Sequence, residues 1–184
     1  MASLRNPSSW PLVTIQAGAA LFIAALAASV LFEPSVWLLH TLQALIYIGV
    51  IVLVRQDSNW GFGAGFTIAL LWNSANLFAT GFIRAGIDVL LQLPRTEHFA
   101  KPGLLLVLVG AAGHFMMIAG CLICFLRRSP KLRQWGEFLG GGVLGFCALL
   151  MISPLRAQAL PLPLDITSRP GLTRSRGTPL RVSA

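Results

Sequence analysis

Residues 102–126 read PGLLLVLVGAAGHFMMIAGCLICFL, with no Asp, Glu, Lys or Arg, and Arg127-Arg128 closes the run. About 18 or more apolar residues without charge suffice to cross a ~30 Å hydrocarbon core as a helix. Four more stretches share this property: residues 6–32, 34–54, 58–83 and 138–155. All Lys and Arg residues lie outside these five runs. The pattern predicts an all-α, polytopic membrane helical bundle.

Composition agrees. Hydrophobic residues make up 55% of the 184-residue chain and charged residues 11%, whereas soluble domains carry roughly 25% charge. Mean hydropathy is +0.75. The net charge of +8 resides in loops and tail. In a soluble protein it would raise nucleic acid as a partner. Here the positive-inside bias and anionic headgroups account for it, so the expected partner is the lipid bilayer and not nucleic acid.

The reading divides the chain into a short N-terminal segment (1–10), a bundle (11–155) and a basic, proline-containing tail (156–184) expected to be disordered. Five spans are expected at 11–32, 34–54, 60–82, 103–126 and 138–155, with an interfacial amphipathic segment at 83–93. In that segment Arg84, Asp88 and Gln92 recur every four residues beside Ile83, Ile87 and Leu91, a helical periodicity. The run at 25–29, Ala-Leu-Ala-Ala-Ser, resembles a signal-peptide cleavage site, but its extension to Phe32 favours an uncleaved span. Trp10, Trp37, Trp60 and Trp135 fall near span ends, as an aromatic belt requires, and Trp72 does not.

Small residues recur as Ala20, Ala24 and Ala28 in the first span and as Gly61, Gly65 and Ala69 in the third. Gly140, Gly141, Gly142 and Gly145 occupy the fifth. Such stripes let helices approach closely.

Orientation is divided. Five spans put Arg5, Arg55, Arg127, Arg128, Lys131 and Arg133 on one face, against Arg84, Arg95, Lys101 and five tail arginines on the other. The alternative of four spans plus a re-entrant or interfacial glycine-rich segment at 138–155 returns the tail to the first face and satisfies the positive-inside rule better. Re-entrant backbone must, however, be covered by protein or water. The five-span arrangement is preferred, with the 127–133 loop and the N-terminus cytoplasmic. The localisation expected is a plasma or inner cell membrane.

Polar groups inside the apolar runs are the only candidates for chemistry. Measured from the face holding Glu33 and Arg84, His40 and Asn76 both lie about 9 Å deep, and Gln43 and Asn73 about 13 Å. Each pair is spaced i,i+3 on one helix face. The four form a candidate outward-facing ligand site for a small solute, ion or quinone headgroup, with interhelical hydrogen bonding as the structural alternative. His40 and His114 are the two intramembrane imidazoles. As axial haem ligands they would need equal depth, and they differ by about 8 Å. Cys121 and Cys124 form a CxxC sequence, which in some settings supports thiol–disulfide exchange. Here it sits at a helix C-terminus, where the dipole disfavours thiolate, so packing explains it better. Cys147 adds a third intramembrane thiol.

No catalytic motif is present, and the sequence specifies no cofactor and no metal. The leading expectation is a non-catalytic accessory subunit of a membrane assembly, or a homo-oligomer. The alternatives are a small-solute, ion or quinone transporter or binding protein, and a quinone-linked thiol or haem redox protein.

Overall fold

The computed structural model describes residues 9–92 and 102–159, with side chains through Ile152. Arg5, Arg95, Lys101 and the tail beyond residue 159 lie outside the described residues. Six α-helices and no strand occur among the described residues: α1 (Trp10–Val30), α2 (Trp37–Arg55), α3 (Asn59–Ser74), α4 (Phe82–Gln92), α5 (Pro102–Leu126) and α6 (Leu132–Ala159). A short 3-10 turn, Pro34–Val36, leads into α2, and a π-helical turn, Ala75–Ala79, prolongs α3.

Four helical segments are long and apolar enough to cross a membrane, and a fifth span arises if α3 and α4 count as one broken crossing. The surface supports this reading. Leu45, Ile48 and Val52 on α2 and Leu139, Val143 and Leu144 on α6 are exposed. Large contiguous apolar surface is foreign to a soluble monomer. Trp10, Trp37, Trp60 and Trp135 are each 40–58% exposed near helix ends.

The glycine-rich segment 138–155 is not re-entrant. It lies inside α6, an unbroken helix of 28 residues that rises about 42 Å, more than a bilayer core needs. The irregular crossing is the third one. Thr80 N–H donates to the Ala75 carbonyl at 2.9 Å, five residues back. Asn76 Nδ2 donates to the Trp72 carbonyl at 2.9 Å. A side chain that takes over an i−4 carbonyl loosens the helical ladder, and the turn widens to π. Gly81 then adopts φ +68°, where a side chain would be strained. Helix α4 leaves at 72° to α3. Residues 82–92 therefore do not continue α3 in a straight line. Ile83 and Gly86 pack inward, whereas Ile87, Leu90 and Leu91 are exposed.

Helix α5 is the hub, packing against α1, α3 and α4, while α3 also packs against α6 and α2. Glycine sets the closest crossings. A Cβ at Gly63 would collide with the Phe138 carbonyl, and one at Gly141 with the Trp60 carbonyl. Gly18 and Gly113 face each other in the same way across α1 and α5. The stripe Gly61, Gly65 and Ala69 is buried as expected. The stripe Ala20, Ala24 and Ala28 is not. Ala20 and Ala24 are exposed and Ala28 is half-buried, because Ile15, Gly18, Ala19 and Phe22 form the face that meets α5 and α2.

Candidate functional site

One end of the bundle is closed by side chains. The α2–α3 turn carries Asp57 at φ +60°, a conformation Asp tolerates better than most residues. Arg128, in the α5–α6 turn, pairs with the Asp57 carboxylate and donates to the Asp57 carbonyl at 2.9 Å. Its guanidinium lies 4.6 Å from the Phe62 ring centroid. Partial burial lowers the Arg128 pKa from its ordinary value, yet the guanidinium stays charged. Arg127 covers the Trp10 ring at 5.0 Å. Glu137 accepts from Asn59 Nδ2 at 2.8 Å and from Arg133 at 3.1 Å. The start of α1 and the two turns thus share one end.

The opposite end opens into a cavity of about 840 Å³ between the end of α1, the start of α2, the π turn, the start of α5 and the second half of α6. Its walls are mostly apolar, including Leu39, Leu71, Phe146 and Leu149. Polar groups come from Ser29, Glu33, Ser35, His40, Gln43, Asn76 and Thr80. Binding cavities typically have this size and composition, with an apolar lining and a few placed polar groups.

Three of the four sequence-nominated residues, His40, Gln43 and Asn76, line this cavity. Asn73 does not. It is buried, and its Nδ2 reaches the Ala111 carbonyl on α5 at 3.5 Å. Residues three apart on a helix differ by about 60° in direction. On α2 that offset keeps His40 and Gln43 in one wall, whereas at the end of α3 it turns Asn73 toward α5.

His40 Nδ1 is 2.8 Å from Ser29 Oγ, and Ser29 donates to the Leu26 carbonyl at 2.7 Å. Ser35 donates to Glu33 Oε1 at 2.6 Å. Thr80 donates to Asn76 Oδ1 at 3.3 Å. The Gln43 Oε1 is buried without a partner.

Beneath the cavity lies an aromatic cluster that the sequence reading missed. His114 is fully buried and hydrogen-bonded through Nε2 to the Tyr47 hydroxyl. Phe22 and Trp72 flank its ring at centroid distances of 4.1 and 4.6 Å. The signal was available: Tyr47 is the only tyrosine in the chain, and its expected depth matches that of His114 to within about 3 Å. Trp72, the tryptophan away from any span end, belongs both to this cluster and to the cavity wall.

The remaining candidates do not converge. His40 and the Tyr47 partner of His114 lie two turns apart on α2, about 10 Å along the axis. His40 and His114 therefore cannot be trans-axial ligands of one haem. Cys121 and Cys124 are free and buried. Cys121 packs in the core, with its Sγ beside Gly65. Both belong to the packed interior near the basic end and not to the cavity, whereas Cys147 is exposed.

No protein-family model matches the chain, and neither a curated protein nor a solved structure shows significant similarity to it.

Proposed function

We propose that this chain is a multi-pass membrane protein that binds a small amphiphilic molecule in the cavity opposite its basic turns. The observation that carries the reading is the cavity itself. A half-open cleft of about 840 Å³ joins five structural segments and combines an apolar lining with several polar groups. Such a lining suits a molecule that has both an apolar and a polar part.

The orientation rests on the basic 127–133 turn as the cytoplasmic marker, since the charge count over the whole sequence is divided between the two faces. Arg55, Arg127, Arg128, Lys131 and Arg133 lie at the closed end, whereas Arg84 and Arg156 lie at the other end by helix position. The closed end and N-terminus then face the cytoplasm, and the cavity opens on the outer side of a cell membrane. Labelling of Ser129→Cys from the inside only, and of Ser35→Cys from the outside only, in a background lacking native cysteines, is the expected result. The opposite pattern reverses the orientation.

The accessory-subunit reading rests on small-residue stripes. Those in α3 and the first half of α6 are consumed within the bundle. On α1, Ala17, Ala20, Ala24 and Ala27 stay exposed and leave one small-residue face for a partner helix, which is the support this second reading keeps.

The test compares thermal unfolding of the protein in phosphatidylcholine nanodiscs with dodecylamine, dodecanol or laurate. At least one should raise the Tm of the unaltered protein. Ala75→Trp, which fills the cavity from the π turn, should abolish that response without lowering the Tm of the free protein. The reading fails if none of the three shifts the Tm, or if Ala75→Trp responds like the parent.

A further inference from the structure

We infer that the cleft takes its occupant from the bilayer itself: a lipid acyl chain enters sideways, past the exposed edge of α6, and lies against Trp72. This rests on the cavity reading above and names the source and class of its ligand.

The side opening follows from the way α6 is turned. Gly141 and Gly145 face α3, where an added Cβ would meet the Trp60 and Ala64 carbonyls. Leu139, Val143, Phe146 and Leu150 recur at i, i+4, i+7 and i+11, so they share another face of the helix. All four are 44–63% exposed. Leu139 and Val143 belong to the outside of the bundle and do not line the cleft, whereas Phe146 and Leu150 do. The wall of the cleft is therefore continuous with the apolar stripe that α6 turns toward lipid. Nothing on α6 separates the two, because that helix packs chiefly against α3 and touches α2 and the Pro34–Val36 turn only lightly.

Depth and polarity agree with an acyl chain. The spanning part of α6 ends at Ile152, and Phe146 lies about 9 Å short of it along the axis. The opening thus reaches from the rim into the hydrocarbon layer, where lipid chains and not water are the neighbours. Glu33 and Ser35 are exposed at the rim. Deeper in the wall, His40 is bonded to Ser29, and Asn76 donates to the Trp72 carbonyl. Leu39, Leu71, Trp72, Val107 and Leu149 supply apolar surface beside them.

The test reads Trp72 as the reporter of the cleft wall. Trp10, Trp37, Trp60 and Trp135 are replaced by Phe, and the protein is placed in nanodiscs of phosphatidylcholine brominated in its acyl chains, since bromine quenches indole only on close approach. Trp72 emission should fall by about half or more relative to unbrominated nanodiscs, because cavities of this kind bury most of an occupant's surface against their walls. Aqueous acrylamide should quench it little. Ala75→Met, which narrows the cleft without adding an indole, should remove most of the quenching by bromine. Trp60 packs against Gly140 and Gly141. If its replacement prevents folding, the difference in quenching between the unaltered protein and Trp72→Phe gives the same readout. Strong acrylamide quenching without bromine quenching means a water-filled cleft, which overturns entry from the bilayer and leaves the cavity reading intact. Bromine quenching that Ala75→Met leaves unchanged comes from lipid outside the cleft and also overturns the inference alone. Quenching by neither agent means a closed cleft and overturns both.

Discussion

The two ends of this bundle solve opposite problems with the same helices. At the basic end α3 and α6 touch backbone to backbone, because Gly63 and Gly141 offer no side chain at the crossing. Arg128 and Asp57 then tie the neighbouring turns. At the other end α6 presents Phe146, Leu149 and Leu150, α3 loosens into a π turn, and α4 departs at 72°. The result there is a cavity. One helix therefore carries a closing half and an opening half, distinguished by side-chain size.

The largest way to break this contrast is to put bulk into the closed half. Gly63→Leu should cost about 3 kcal/mol or more, since both opposing atoms are backbone and cannot yield. Loss of folded, monodisperse protein in size-exclusion chromatography checks this. Gly49→Leu serves as the control, because a Cβ there meets nothing within 4 Å, and it should elute like the parent.

The next effect lies at the boundary between the halves. Tyr47→Phe removes the hydroxyl bonded to His114 and strands a buried ring nitrogen, at a cost of about 1–2 kcal/mol. Thermal unfolding in nanodiscs would show it. An unchanged Tm would mean that the Tyr47–His114 bond contributes nothing to stability.

A smaller loss, no more than about 1 kcal/mol, is expected for Asp57→Ala, because the carboxylate side of that pair is largely solvent-exposed. It should shrink further in high salt. A loss that salt leaves untouched would assign the effect to the turn geometry at Asp57 instead of the charge.

The smallest stability effect belongs to the open half. Gln43→Ala should leave the stability within about 0.5 kcal/mol, as its buried Oε1 has no partner to lose and removing an unsatisfied acceptor breaks no hydrogen bond. A marked destabilisation would make the cavity wall part of the packed core and remove the distinction between the two ends.

Most of the fold was legible because the hydrocarbon core imposes length and charge rules on every crossing. Runs free of charge became α1, α2, α5 and α6 with shifts of only a few residues at most boundaries. The third run matches in extent, Asn59–Ala79 followed by the separate segment Phe82–Gln92, but hydropathy does not register that its last turn widens. Asn76 and Thr80 read as ordinary polar residues in sequence, and their capture of backbone and side-chain partners appears only in three dimensions. The arginines of the tail suggested a re-entrant segment at 138–155, because that arrangement gathers the positive charge on one face. In the bundle the glycines of this segment instead admit α3 at close approach.

For the candidate site, depth counting matched His40 with Asn76 and Gln43 with Asn73 but gave no azimuth. Asn73 was lost for that reason, and the Tyr47–His114 bond was overlooked although its depths agreed.

The sequence alone determined that helices of this kind form and, for α1, α2 and α5, where they begin and end to within a few residues, because charge and backbone polarity are costly in hydrocarbon whatever the neighbours are. Only the tertiary structure decided which stripe faces inward, which asparagine meets the cavity, and that one end stays open. Those outcomes depend on rotation about each helix axis and on which helices are adjacent, and a linear spacing of residues fixes neither.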